Sequence, residues 1–354
     1  MLFNKHKKLE YVRPLLAPFS VLFLGILLWR DFLFKLGVLS KRKLPCKVIS
    51  VGNISTGGTG KTPLIITLTR FFQKRGISVG ILSRGYRRKS SGFLLVTDGF
   101  SEPPPWELCG DEPALMAKKL EGIPIVVDKK RFRGGSFLVE HFNPDIILLD
   151  DAFQHNSLYR DVDIVLVNSS DRPKDHKLLP TGNLREPWSC IKRADLVLLS
   201  KTNLTEESSF IKNKLEKTSL PFFYSSIDLN PALVNCHNNT TMSVKKLKGT
   251  RVLLVSAIGD PDGFHSLVQK TGADILKYLI YRDHYSYTKN DLKAIRKIKE
   301  EVNADLIITT EKDLLKLKDF SRDMPIHALR IGLNIEDQGF QIISNFIDKI
   351  GINN

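Results

Sequence analysis

A glycine-rich turn between an apolar run and an amphipathic run constrains this chain more than any other segment. Residues 55–62 read Ser-Thr-Gly-Gly-Thr-Gly-Lys-Thr; they follow the apolar run Lys47–Val51 and precede a helical pattern that begins at Pro63. In this order of strand, turn and helix, glycines let backbone N–H groups converge on one point, and the helix N-terminus adds a positive dipole. The segment therefore predicts a loop that holds the phosphates of a nucleoside triphosphate.

Every residue of this phosphate loop is expected to contact the nucleotide. The loop consists of Ser55, Thr56, Gly57, Gly58, Thr59, Gly60, Lys61 and Thr62. Lys61 is expected to reach the β- and γ-phosphates of ATP, and Thr62 is expected to ligate Mg²⁺. The usual pattern opens with glycine where this chain has Ser55, but the doubled glycine leaves the turn its freedom. The structural alternative is a flexible loop that caps an ordinary helix.

The rest of the chain alternates between short apolar runs and helical patterns. Continuous apolar runs predict strands covered on both faces, as in a parallel sheet. The predicted strands are Val48–Val51, Val79–Leu82, Pro124–Val127, Ile146–Leu149, Ile164–Val167, Leu196–Leu199, Val252–Val255, Ile275–Tyr281, Leu306–Thr309 and Ile326–Leu333. The predicted helices are Leu64–Arg75, Pro113–Leu120, Arg131–His141, Asp262–Lys270, Lys289–Glu301 and Gln338–Ile350. The pattern predicts an α/β fold: a P-loop NTPase-type parallel-sheet domain followed by a second, smaller α/β domain.

The polar segment Asn235–Lys248 separates the two predicted domains. We expect a membrane-associating segment over residues 1–40, a P-loop domain over 41–234, a linker over 235–250 and a smaller α/β domain over 251–354. Ligands of such sheets bind beyond the carboxyl ends of the parallel strands, so the site is expected at that edge.

The positive charge of the chain is concentrated near its start. The chain carries a net charge of +15, and residues 1–45 hold nine Lys and Arg against Glu10 and Asp31. The remaining excess forms neither long basic runs nor aromatic RNA-binding motifs. We therefore expect a local acidic partner and no nucleic acid.

An apolar stretch in the same region indicates that the acidic partner is a membrane. Residues 14–29 contain no charged side chain, and Lys5, Lys7 and Lys8 precede them. A bilayer span needs about 20 apolar residues, so a stretch of this length is short for one. We expect a helix associated with the membrane surface, with Trp29 and the flanking cations at anionic headgroups. A helix buried in the protein's own core is the alternative.

Three aspartates lie at the ends of predicted strands or helices, where they are candidates for metal binding or catalysis. Asp150 and Asp151 follow the strand Ile146–Leu149 at the same sheet edge as the phosphate loop, so we expect them to serve Mg²⁺. A solvated turn is the alternative. Asp111 lies just before a predicted helix with Pro113 in its first turn, which is also the ordinary pattern of a helix start.

Two further loops carry candidate groups. Arg185 is suited to contact a phosphate, and Glu186 to hold a metal or a substrate hydroxyl, although the two could equally form a surface ion pair. His284 follows the strand Ile275–Tyr281 and is suited to proton transfer near neutral pH, although a single His is more often structural.

Together these segments resemble one family, tetraacyldisaccharide 4'-kinase, the lipid A 4'-kinase, over nearly the whole chain. The matching segments are Gly52–Pro63, Leu82–Tyr86, Gly110–Pro113, Asp150–His155, Gly182–Pro187, Asp283–His284 and Thr310–Asp313. Two departures are visible: Ala152 and Arg87 stand where the family usually has Gly. Neither departure removes a reactive group.

The resemblance implies transfer of the ATP γ-phosphate to the 4'-hydroxyl of a tetraacyldisaccharide 1-phosphate in lipid A biosynthesis. ATP and Mg²⁺ are the implied cofactors. The implied partner is this anionic lipid, with no obligate protein partner. The implied location is the cytoplasmic face of the bacterial inner membrane, with the protein peripheral or monotopic.

The resemblance also implies roles for residues of this chain. Asp111 is implied to be the base on the 4'-hydroxyl, with His284 supporting it as a dyad across a closing domain interface. Lys61 and Arg185 are implied to act at the transferring phosphate. The implied metal ligands are Thr62, Asp150, Asp151 and Glu186.

Other classes of protein share parts of this pattern. A P-loop ATPase switch that acts on a protein partner has the same loop, but it usually brings metal-binding Cys/His residues or a dimer-interface signature, and neither is evident. A soluble small-molecule kinase would bury the apolar helix in its core. A nucleotide-binding fold without activity is a third alternative.

Overall fold

The computed structural model describes residues 13–204, 208–318 and 324–352. Lys5, Lys7 and Lys8, which are expected to lie at anionic headgroups, are outside the described residues. Thirteen strands of this described part form one sheet. The strands β1 to β13 are, in chain order, Lys47–Asn53, Val79–Ser83, Leu94–Thr97, Ile125–Val127, Ile146–Asp150, Val162–Asn168, Leu196–Ser200, Phe222–Asn235, Thr241–Ser243, Arg251–Ser256, Asp274–Ile280, Leu306–Thr310 and Ile326–Ile335. The helices α1 to α10 are Ala17–Lys35, Lys61–Gln73, Trp106–Cys109, Asp111–Lys119, Arg131–Phe142, Ser209–Glu216, Pro261–Gln269, Lys289–Glu301, Glu311–Leu317 and Asp337–Lys349.

The strand that precedes the phosphate loop is near the centre of this sheet. The spatial order is β11-β10-β12-β13-β8-β7-β6-β1-β5-β2-β4-β3, with β9 paired to β8. Strand β1 pairs in parallel with β5 and β6, and its residues after Lys47 are buried. Helix α2 packs on it through a buried face that includes Leu64, Leu68 and Phe72, and burial of each such side chain stabilises the fold by about 1.5–3 kcal/mol. This packing fixes where the loop between β1 and α2 emerges.

All ten predicted strands and all six predicted helices are present, with ends within three residues of those expected. The prediction of a largely parallel α/β sheet is therefore confirmed. Three strands were not predicted, β3, β8 and β9, and the sheet is antiparallel where β3 meets β4, where β8 meets β9 and where β8 meets β13.

The segment expected to be a linker, residues 235–250, is part of the ordered structure. It contains the end of β8, all of β9 and a 3₁₀ helix over Val244–Leu247. Strand β8 pairs with β7 at its start and with β13 and β9 further on, so one sheet runs through both α/β units. The domain boundaries themselves stay a prediction. For description we call residues 41–234 the first lobe and residues 251–352 the second lobe.

The apolar N-terminal segment forms helix α1, which continues six residues past the uncharged stretch that ends at Trp29. By length and composition alone, this one helix of the described part is long and apolar enough to cross a membrane. Its buried residue is Leu27, whereas Phe19, Leu22 and Ile26 are each more than half exposed. The alternative of a helix buried in the core is therefore wrong.

Candidate active site

The phosphate loop has the backbone conformation that its glycines predict. Gly57 has a φ of +116° and Gly60, which precedes helix α2, has a φ of +92°. L-residues with a Cβ rarely adopt such angles, so glycine is required at both positions. The Asn53 amide donates to the Thr59 hydroxyl at 3.1 Å and links the end of β1 to the loop.

Ser55, the departure from the usual pattern, occupies a position where glycine is not needed. It forms an isolated antiparallel bridge with Leu184 and is 2% exposed. It is not among the described residues with positive φ. Beside it, the Thr56 N–H donates to the Asn183 carbonyl at 2.7 Å. The loop over residues 182–185 thus supports the phosphate loop from one side.

Lys61, Asp151 and Arg185 form a chain of charges at the mouth of the phosphate loop. The Lys61 Nζ lies 3.6 Å from Asp151 Oδ1, and Arg185 Nη1 donates to both Asp151 oxygens at 2.8 and 2.9 Å. Burial opposes ionisation of Asp151, yet the charges of Lys61 and Arg185 hold its pKa below the ordinary value. Asp151 also carries a φ of +50°, so the backbone turns sharply just after β5. Ala152, by contrast, is not among the positive-φ residues, and alanine fits where the family usually has Gly.

Asp150 is a buried carboxylate at the end of β5, directly beside the end of β1. Ser83 donates to its Oδ2 at 2.8 Å, whereas its Oδ1 is buried without a hydrogen-bond partner in the described structure. Burial raises the pKa of Asp150 above its ordinary value, and the negative charges of Glu112 and Asp151 raise it further. A cation next to Oδ1 would relieve both effects.

Asp111 and His284 meet across the two lobes. The His284 Nδ1 lies 2.9 and 3.0 Å from the two Asp111 oxygens. Asp111 is 4% exposed and does not line the cavity described below, whereas His284 does. Lys312 Nζ lies 3.3 Å from His284 Nε2, on the other edge of the ring.

Two lysines keep Asp111 ionised. Lys316 Nζ lies 2.8 Å and Lys312 Nζ 3.7 Å from Asp111 Oδ2. Burial opposes ionisation of Asp111, but the hydrogen bond from His284 and the two lysine charges hold its pKa well below the ordinary value. Because an ionised carboxylate only accepts hydrogen bonds, His284 Nδ1 carries the hydrogen, and Nε2 accepts from the Lys312 ammonium.

Glu186 is buried and paired with two arginines. Its side chain is 1% exposed; Arg30 donates to Oε1 at 2.6 Å, and Arg193 donates to Oε2. Glu186 does not line the cavity that contains the phosphate loop. Its carboxylate instead joins helix α1 to the body of the first lobe, and we leave it out of the metal site proposed below.

Lys201 lines the cavity and Arg131 supports Asp150, although no motif pointed to either residue. Lys201 follows β7, has a φ of +65°, and bonds both the Gly58 carbonyl and the Asp260 carboxylate of the second lobe. Arg131 is 2% exposed and donates to the Asp150 carbonyl at 2.9 Å. Burial lowers the pKa of Arg131 to about 10. The sequence signals are weak: Lys201 lies two residues beyond the predicted strand Leu196–Leu199, and Arg131 begins the predicted helix that follows Pro124–Val127.

One cavity of about 790 Å³ lies at the carboxyl ends of the first-lobe strands, and Lys61, Asp151, Arg185, Lys201 and His284 line it. Residues 56–62 of the phosphate loop line it. Helix α1 forms one wall through Phe23, Leu27 and Arg30, and the second lobe forms another. That second wall includes Asp260, Asp283, His284, Thr310, Glu311 and Lys312. The cavity therefore brings the nucleotide loop, His284 and the apolar helix α1 together in one space.

The central phosphate loop, the strand-end carboxylate and the mostly parallel sheet define a P-loop nucleotide-binding protein. Among proteins of this fold, residues 12–348 match the family model of tetraacyldisaccharide-1-P 4'-kinase. The chain belongs to that family, and the sequence-based expectation is confirmed.

Individual relatives agree with this membership. A tetraacyldisaccharide 4'-kinase of Syntrophus aciditrophicus is 36% identical over 92% of this chain and 90% of its own length. One of Aquifex aeolicus is 35% identical over 92% of this chain and 95% of its own length. The LpxK crystal structure from Aquifex aeolicus in complex with ATP superimposes with a TM-score of 0.75 at 33% identity, covering 95% of this chain and 99% of that one.

Proposed function

We propose that this protein transfers the γ-phosphate of ATP to the 4'-hydroxyl of a tetraacyldisaccharide 1-phosphate. The observation that carries the proposal is that one cavity is lined both by the phosphate loop and by His284, whose imidazole is paired with Asp111 across the lobes. Family membership identifies the acceptor class. A P-loop switch that acts on a protein partner has no need for a proton-accepting pair opposite its phosphate loop.

The first lobe supplies the nucleotide side of the reaction. The loop N–H groups and the α2 N-terminus are positioned for the phosphates, and Lys61 can move from Asp151 to the β- and γ-phosphates. Arg185, which is paired with Asp151, lines the same cavity as Lys61. These cations would stabilise the charge that spreads over the transferring phosphoryl oxygens.

The residues present fit a Mg²⁺ ion. Asp150 offers a buried oxygen without a partner in the described structure, and Thr62 is the second residue of helix α2, which follows the strand β1 that pairs with the strand of Asp150. Among the described residues no cluster of three or more His, Cys, Asp or Glu could hold a metal. Mg²⁺ needs only one or two protein ligands and completes its shell with phosphate oxygens and water. When bound, the ion would neutralise charge on the β- and γ-phosphates. Asp151 is engaged by Lys61 and Arg185, so Asp150 and Thr62 are the proposed ligands.

The second lobe supplies the acceptor side. In the proposed reaction the Lys312 ammonium leaves His284 Nε2 when the acceptor hydroxyl enters. The 4'-oxygen then forms a bond to the γ-phosphorus, the bond to the ADP oxygen breaks, and the hydroxyl proton passes to the freed Nε2. Asp111 accepts from Nδ1 and holds the ring in the required tautomer. The sequence-based hypothesis assigned contact with the hydroxyl to Asp111. Because Asp111 is behind His284 and away from the cavity, we assign that contact to His284 instead.

Helix α1 brings the reaction to its lipid. Its inner face contributes Phe23, Leu27 and Arg30 to the cavity, whereas the outer face leaves Phe19, Leu22 and Ile26 exposed. A helix with an apolar exposed face beside basic residues favours attachment to an anionic leaflet. We propose that the protein works on the cytoplasmic face of the bacterial inner membrane, as a peripheral or monotopic protein with its acyl-chain substrate entering beside α1.

The activity is tested with purified protein, ATP labelled at the γ-phosphate and a detergent-dispersed tetraacyldisaccharide 1-phosphate. We expect the label to appear on the lipid, and we expect ATP turnover without lipid to stay near background. Turnover that proceeds at the same rate without lipid acceptor would favour the ATPase alternative over this proposal.

The membrane role of α1 is tested by changing its outer face. Leu22→Glu with Ile26→Glu is expected to lower the vesicle-bound fraction about tenfold or more, because each such side chain contributes about 1.5–3 kcal/mol when buried in an apolar phase. Sedimentation with anionic vesicles measures it.

The matched control makes the same change at two exposed apolar residues in other elements, Phe100→Glu with Leu276→Glu. Binding of that control is expected to equal that of the wild type. Equal loss in both proteins would mean that added negative charge, and not the α1 face, sets the binding.

A further inference from the structure

The loop after β2 reaches across the cavity to the second lobe. Arg87, in this loop, donates from Nη1 to the carbonyl oxygen of Asp283 at 2.6 Å. The same guanidinium lies 5.4 Å from the centroid of the Tyr86 ring. Arg87 has a φ of +56°, a left-handed conformation that a residue with a side chain adopts only when its surroundings compensate.

The group next to this contact is His284. The ring of Tyr86 meets the imidazole edge-on at 5.1 Å between centroids. His284 also has a left-handed φ, +59°, and its N–H donates to the Ala257 carbonyl at 3.2 Å. The Asp283 carbonyl belongs to the peptide that precedes His284, so its direction is tied to that strained turn. Arg87 therefore contacts both neighbours of the imidazole, the flanking ring and the preceding peptide.

We propose that Arg87 is a positioning residue that holds His284 against Asp111. It would do so by joining the Asp283 carbonyl to the β2 loop while its guanidinium lies on Tyr86. The planar guanidinium can donate to a carbonyl and lie on an aromatic face at the same time. The side chain thus connects the first lobe, which carries Asp111, to the turn of the second lobe that carries His284. This inference rests on the proposed function, in which His284 takes the proton.

The test uses Arg87→Gly, which removes the side chain and accepts the left-handed backbone without strain. We expect kcat for lipid phosphorylation to fall about tenfold, while KM for ATP and for lipid stays within about twofold. The melting temperature is expected to equal or exceed that of the wild type, because glycine relieves the backbone. Arg87→Lys is expected to recover part of the lost kcat, since its ammonium can still donate to the carbonyl.

A double-mutant cycle separates positioning from other roles. If Arg87 acts through His284, then Arg87→Gly has no further effect on kcat in a His284→Ala background. Multiplied losses in the double variant would overturn the proposal, as would an unchanged kcat in Arg87→Gly or a loss confined to KM. Failure of the proposed function is distinct: the wild type itself would then show no lipid phosphorylation.

Discussion

Lys61→Ala is expected to lower kcat for lipid phosphorylation by about 10²–10³-fold, the usual cost of losing one preorganised group at a developing charge. Its Nζ is partly buried at the mouth of the phosphate loop, and Asp151 is the counter-ion from which it moves to the phosphates. The truncation removes the cation while leaving the backbone N–H groups of the loop in place. Turnover with saturating ATP and lipid measures the loss of kcat, and nucleotide binding measures the accompanying loss of affinity.

The control for Lys61→Ala is Lys297→Ala, which removes the same charge from helix α8, where the side chain is 78% exposed. Its turnover is expected to equal that of the wild type. If Lys61→Ala keeps near wild-type turnover, the phosphate loop does not use this lysine and the nucleotide side of the mechanism is wrong. Lys61→Arg is expected to recover little, because the larger planar cation does not fit the space of an ammonium.

Strands buried on both faces could be predicted, because a parallel strand covered by helices needs an unbroken apolar run. Strand β8 could not. Its burial alternates, and it contains Pro231 at a place where the pairing with β13 shifts register, as proline in a sheet requires. Its neighbours, β7 on one side and β13 on the other, come from different lobes. The continuity of the sheet depends on that one strand. Its pairing with strands of both lobes is visible in the structure but leaves no local pattern in the sequence.

The candidate site shows the same division between local and distant determinants. The conformation of the phosphate loop follows from its own glycines, and the sheet-edge position of Asp150 follows from the strand that precedes it. The pairing of Glu186 with Arg30 and Arg193 could not be predicted, because neither partner can be inferred from its neighbour Arg185. The two adjacent side chains lie in different places: Arg185 lines the cavity, whereas Glu186 pairs with Arg30 of helix α1.

Arg87 illustrates how a departure in sequence gains meaning in the structure. A glycine at this position would adopt the left-handed backbone conformation without steric strain, which is a physical reason for the family's usual residue. Arg87 adopts the same strained conformation, and its side chain adds a hydrogen bond to the Asp283 carbonyl of the second lobe. Sequence comparison could identify the departure but not the carbonyl that the side chain reaches.

His284→Ala is expected to lower kcat by about 10²–10⁴-fold, the range that a positioned proton acceptor contributes. Asp111→Ala is expected to lose no more than His284→Ala, because Asp111 acts through the imidazole that it orients. The double variant is expected to lose no more than His284→Ala alone. Rates of lipid phosphorylation for the two single variants and the double variant measure this order.

The order of the losses decides which group contacts the hydroxyl. If Asp111 made that contact, Asp111→Ala would lose more than His284→Ala, and the double variant would match Asp111→Ala. Stability must be measured as well, because Asp111 faces Lys316, which is fully buried. The lowered folded-state pKa of Asp111 means that its carboxylate stabilises the protein above the ordinary aspartate pKa, and that this stability is lost only as pH falls through the folded value. At neutral pH Asp111→Ala is therefore expected to lower the melting temperature. Asp111→Asn keeps the size of the side chain, so its effect on the melting temperature measures the loss of the negative charge alone. An intact fold with a smaller loss than His284→Ala in both Asp111 variants would support the imidazole as the proton acceptor.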